Sequence, residues 1–228
     1  MTGPKALTRP LARKFAPGCA LMIYKPHLAE RLHEILVKNV GPMDVFLTCC
    51  HHIPPLARGT EMINVCPGCD RRYRENYTES TTISLWEVLT QGSFFPFPDY
   101  AGREMTIIDA CPTRSETRVH DAVRELVRRM NILLVEPRKT RTHSTCCGDS
   151  LWGVAPEPKV IAQMKKKAAT MPTQEIITYC VSCSKAMFIG GKRPRYLVDL
   201  LFNEETVPKT YLPAQWHKEV DEFIEAHR

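Results

Sequence analysis

Glu175-Ile176-Ile177-Thr178-Tyr179-Cys180-Val181-Ser182-Cys183 sets a short β-rich run directly in front of a Cys-x-x-Cys element. Three more runs end the same way: residues 43–47 lead to Cys49, 62–65 to Cys66 and 105–108 to Cys111. Between them lie stretches with helical apolar spacing. Pro26 and His27 introduce Leu28, Leu32, Ile35 and Leu36, and Thr117 introduces Val119, Ala122, Val123, Leu126, Val127 and Met130. Pro26 suits a first helical position. Alternation of strand, cysteine and helix predicts α/β architecture. In open α/β sheets ligands gather at the carboxyl ends of strands, so the four cysteine groups are expected to meet there.

All 10 cysteines obey one pattern written twice. Cys19, Cys49-Cys50 and Cys66-Pro67-Gly68-Cys69 form the first copy; Cys111, Cys146-Cys147 and Cys180-Val181-Ser182-Cys183 form the second. Leu85-Trp86-Glu87-Val88-Leu89 after the first copy answers Leu197-Val198-Asp199-Leu200-Leu201 after the second. The chain therefore reads as two homologous α/β halves related by a pseudo-twofold repeat, each with a five-cysteine site. A Pro- and Gly-rich stretch around Gly92 to Gly102 places the division at residues 1–100 and 101–228. Residues 215–228 read as an amphipathic packing helix with Trp216, Val220, Phe223 and Ile224 inward.

Composition narrows the setting. A chain of 228 residues can bury a core without disulfides. Lys5, Arg9, Arg13 and Lys14 precede Phe15-Ala16-Pro17-Gly18, too short an apolar run for a secretory signal, and no stretch is apolar enough to span a membrane. The expected location is a reducing cytosol, where paired cysteines read as metal or redox sites. The net charge of +6 is modest and scattered, which argues against nucleic acid. Lys165-Lys166-Lys167, the densest basic run, reads as a solvated helix face.

Grouped thiolates are soft ligands that select zinc, copper(I) or iron–sulfur clusters. Five per copy exceeds the four of a structural zinc site, although the CxxC elements alone would suit zinc. A thioredoxin-like dithiol needs one CxxC rather than two five-thiol groups. The chain has no ferredoxin CxxCxxCxxxCP run, and Gly190-Gly191 is too short for a phosphate loop.

The second copy leaves 34 residues before its doublet, 32 after it, and Gly148 directly behind it. This resembles the cysteine-rich CCG domain family, two of which in tandem characterise the disulfide-cleaving component of heterodisulfide reductase. The resemblance covers nearly the whole chain. It implies that Cys111, Cys146, Cys147, Cys180 and Cys183 hold one noncubane [4Fe-4S] cluster, and that Cys19, Cys49, Cys50, Cys66 and Cys69 hold another. It further implies an iron–sulfur oxidoreductase subunit that passes electrons to a disulfide or thiol-related substrate. The electron donor would be a ferredoxin-like or flavoprotein partner; the alternative is a non-catalytic electron-transfer subunit of a larger redox complex. Gly148 would bring backbone close to the cluster, and Arg114, Lys185, Arg71 and Arg72 would offset its charge.

The first copy departs from the family. Its gaps are 29 and 15 residues, and His51-His52 follow the doublet in place of glycine. The short gap removes a helix-sized insert. His51 and His52 are candidate ligands or proton donors. A noncubane cluster, a simpler [4Fe-4S] cluster and zinc all remain open for the N-terminal site.

Overall fold

The computed structural model describes residues 12–48, 50–208 and 212–228. Lys5 and Arg9 of the basic N-terminal segment, and Cys49 of the first doublet, lie outside the described residues.

The architecture is mixed α/β with two four-stranded parallel sheets. The first half runs β1 (Ala12–Ala16), α1 (Cys19–Tyr24), α2 (Pro26–Asn39), β2 (Asp44–Val45), β3 (Thr60–Asn64), α3 (Pro67–Asn76), β4 (Thr81–Ser84) and α4 (Leu85–Thr90). The second runs β5 (Arg103–Ile107), α5 (Thr117–Arg129), β6 (Ile132–Leu134), α6 (Glu157–Ala168), β7 (Glu175–Thr178), α7 (Val181–Ile189), β8 (Arg193–Tyr196), α8 (Leu197–Leu201) and α9 (Pro213–Ala226). The sheet orders are β2-β1-β3-β4 and β6-β5-β7-β8, the same order written twice.

Burial explains which strands the sequence announces. Every residue of β7 is buried, as expected of a parallel strand covered on both faces. The flanking β8 (Arg193-Pro194-Arg195-Tyr196) carries a proline and two arginines, which only an edge strand tolerates. It pairs with β7 in the register Ile176↔Pro194, and Arg195 Nη1 meets Glu175 Oε1 at 3.2 Å. Strands β1, β4, β6 and β8 go unannounced because they are short, charged or at edges.

Helices α4 and α8 follow β4 and β8 directly, and α4 opens on a capping box made by Ser84 and Glu87. One apolar core contains Phe15, Leu32 and Trp86 from the first half together with Leu126, Ile177 and Leu200 from the second. Helix α4 packs on α5, and Tyr24 Oη donates to Asp199 Oδ2 at 2.7 Å across the halves. Among the described residues no helix is long and apolar enough to cross a membrane.

Candidate functional site: a thiol centre at the strand exits

Both CxxC elements stand where a central strand ends and a helix begins. Cys66 is the N-cap of α3 and Cys180 the N-cap of α7. The backbone N–H groups near these sulfurs therefore belong to first helical turns, which favour negative charge.

In the second half all five thiols are linked in one row. Cys111 donates to Cys146, with 3.7 Å between the sulfurs. Cys147 also donates to Cys146, and Cys183 has both Cys147 and Cys180 within reach of its single S–H. The five are thiols rather than disulfides. Cys146 is the acceptor at the centre of the row. Its sulfur lies 2.9 Å from Ser150 Oγ and receives the Gly148 N–H at 3.3 Å. The Cys111 hydrogen bond first, then that from Cys147, hold its pKa far below the ordinary thiol value, against burial. Cys111 is pushed up by donating to Cys146, and burial adds to this. Cys147 and Cys183 rise through their thiol neighbours and burial.

A buried polar brace fixes the loops that carry these thiols. Asp109, two residues before Cys111, accepts from Arg124 Nη1 and Nη2 at 3.0 Å each and from the Arg141 N–H at 2.6 Å. Burial raises the Asp109 carboxyl, but Arg124 more than offsets it and leaves the pKa below the usual carboxylate range. Tyr179, one residue before Cys180, meets Thr113 Oγ1 at 2.9 Å and receives the Ala110 N–H at 3.0 Å. One network therefore sets both the Cys111 and the Cys180 exits.

The first half is built on a smaller frame. Cys69 donates to Cys66, and this bond first, followed after burial by the Cys69 and Gly68 N–H groups, lowers the Cys66 thiol pKa. Cys50 stands close enough to oppose that shift through its charge. The buried Cys19 points its sulfur at Leu47 O, 3.9 Å away. Gly18, which sequence reasoning passed over, makes this approach available: its φ is +79°, and a Cβ there would lie 2.9 Å from Cys66 Cβ and 3.2 Å from Cys69 Sγ. The cue was present in the sequence as a glycine directly before the first cysteine. Tyr196 is fully buried, and burial first, then the charges of Cys66 and Cys180, raise its phenol pKa.

Several expected roles move. Gly148 has φ +117°, and a Cβ would meet Met164 Cγ at 2.9 Å and Met164 N at 3.0 Å, so its missing side chain admits α6. Arg71 faces Glu75 at 3.7 Å on the surface, and Arg114 donates to Ser144 O at 3.3 Å. Lys185 lies over the Trp216 ring, 4.4 Å from its centroid, and burial pushes its pKa down to about 8. Lys165 and Lys166 are exposed as expected, whereas Lys167 is buried beside the thiol row. His51 is exposed with φ +62° and pairs with Asp221 Oδ1 at 3.4 Å. The His52 ring is held between Cys50 O at 2.8 Å and Thr48 Oγ1 at 3.2 Å.

Helix α9 does more than fill the core. Trp216 Nε1 donates to Ser182 Oγ at 3.2 Å inside the second CxxC. At its other end, Thr48 Oγ1 donates to His227 O at 3.1 Å beside the first doublet. The helix is a strut between the two sites.

Among the described residues, no three His, Cys, Asp or Glu side chains are placed to hold a metal ion as they stand. The sulfurs satisfy one another along a row instead of converging on a common point. This corrects the expectation of an iron–sulfur oxidoreductase subunit acting on a disulfide, together with its electron-transfer alternative. The electron-donating subunit is an expectation of that activity alone.

No family model and no curated protein matches the chain. Among solved structures it is similar to an aspartate racemase from Picrophilus torridus, at 11% identity and a TM-score of 0.32, covering 92% of this chain and 94% of that one. So loose a likeness carries no functional argument, and the site must be read from its own residues.

Proposed function

We propose that the protein binds a soft metal centre through the thiols of its second half, Cys111, Cys146, Cys147, Cys180 and Cys183. The observation that carries this reading is the row of five neighbouring free thiols, with Cys146 accepting from Cys111 and from the Gly148 N–H at its centre. Thiolates prefer zinc, copper(I) or iron–sulfur centres to hard cations. The donor chemistry fits such a centre. The row itself is not a finished cage, so uptake must replace S–H···S bonds by S–metal bonds and expel protons. The spacing likeness of this half to the CCG motif supports the same donor set. Cys19, Cys50, Cys66 and Cys69 are the candidate donors of a second, smaller site, by the parallel strand order of the two sheets. Thiols kept in this state belong to a reducing compartment such as the cytosol. No electron-transfer activity is part of this reading.

Anaerobic purification followed by metal and acid-labile sulfide analysis tests it. Stoichiometric zinc or copper without sulfide identifies a simple thiolate site, and iron with sulfide identifies a cluster. Protein that carries no soft metal, and takes up none when reduced and supplied with zinc, would overturn the reading.

A further inference from the structure

A cavity of about 530 Å³ opens beside Lys167. Arg138, Lys139, Lys166 and Lys167 line it together with Thr145 and Gln163, and no acidic side chain among the described residues does. Arg138 and Lys139 come from the loop after β6, whereas Lys166 and Lys167 come from the last turn of α6. Two separate elements thus bring four cations to one concavity. Among the described residues none of the four forms an ion pair, although 24 such pairs hold most other charges of the molecule.

Lys167 is the decisive member. It is only 3% exposed, its ammonium donates to Thr145 Oγ1 at 3.3 Å, and it forms no ion pair with a carboxylate, although Cys183, Cys147 and then Asp109 favour its charge. An ammonium has three protons to donate, and a buried cation is ordinarily paired. Lys167 is also one of the residues lining this space of ligand size.

We infer that this cavity is a binding site for a small, multiply charged oxyanion such as a phosphate ester or a polycarboxylate. Arg138 offers a planar fork that matches phosphate or carboxylate oxygens, and the lysines supply point charges around it. Thr145 and Gln163 complete the polar lining. A polynucleotide is a poorer occupant, because the cations converge on a hollow instead of tracking along a face. The inference is independent of the metal reading, since none of these side chains is a thiol ligand.

Calorimetric titration of the reduced full-length protein with pyrophosphate, and separately with citrate, tests it, with sodium chloride at matched ionic strength as the reference. Saturable binding of one probe or both is expected; preference for pyrophosphate identifies phosphate esters and preference for citrate identifies polycarboxylates. Arg138→Ala and Lys166→Ala remove exposed side chains that the fold does not need, and each should weaken binding about tenfold. Lys167→Met should weaken it at least as much; if that variant does not fold, the two surface variants still decide. No saturable binding of either probe, affinity unchanged in Arg138→Ala and Lys166→Ala, or binding of single-stranded DNA without binding of the small probes would each overturn the proposal.

Discussion

The two thiol sites use the same strand exits and differ in what lies behind them. Between doublet and CxxC the second half has room for α6 (Glu157–Ala168), which packs on Gly148 and delivers Lys167. The first half has only 15 residues there and forms no helix before β3. The residues on either side of its doublet instead meet the C-terminal segment, through His51–Asp221 and Thr48–His227. The upstream brace differs too, because Asp109 stands two residues before Cys111 whereas Pro17 stands two before Cys19. The second half therefore adds its own insert and a buried ion pair to the α9 contact, whereas the first half has the α9 contact without either. The lesson is that matching cysteine patterns do not give matching surroundings. The segment length between them decides which cations and covers a site receives.

The brace gives the largest expected break in this comparison. Asp109→Ala strips the buried partner from Arg124 and should cost about 4 kcal/mol, read as a fall in the denaturant midpoint. An unchanged midpoint would mean that the second site does not depend on its brace. The same carboxyl gives the pH dependence. Its folded pKa is depressed, so its contribution is complete above the unfolded carboxylate value and is lost as pH falls through the folded one. Acid should therefore narrow the stability gap between the wild type and Asp109→Asn, whereas a gap constant down to low pH would remove Asp109 from the account.

Smaller effects sharpen the contrast at the two positions behind the doublets. Gly148→Ala puts a Cβ into Met164 at a positive φ and should cost about 2 kcal/mol by thermal unfolding. His51→Gly acts in the opposite direction: relief of a left-handed residue should leave stability unchanged or raise it by up to about 1 kcal/mol. Equal losses in both variants would show that the positions are under the same constraint after all.

Much of this was legible in the residues alone. The helices at Pro26, Thr117, Leu85 and Leu197 follow from apolar spacing, and α8 (Leu197–Leu201) falls on the run that the repeat picks out. The strands before Cys66 and Cys180 were visible because buried parallel strands are largely apolar, whereas the run before Cys49 shrinks to the exposed two-residue edge strand β2. Strands such as β8 were not, since an edge strand is free to carry Arg193, Pro194 and Arg195. The gathering of the second-half thiols was legible from spacing. Their linking into a row, the burial of Lys167 and the strut formed by α9 depend on tertiary packing. A basic run looks solvated in sequence whether or not one of its members turns inward.

The central claim is that the second-half row, anchored on Cys146, is where soft metal binds. Cobalt(II) titration of the reduced protein, followed by its thiolate-to-metal charge-transfer absorption, tests this directly when the wild type is set beside Cys146→Ser and Cys66→Ser. The account predicts that the Cys146 substitution abolishes the greater part of the absorption and that the Cys66 substitution spares it. Full absorption in Cys146→Ser, or none in the wild type, would contradict it.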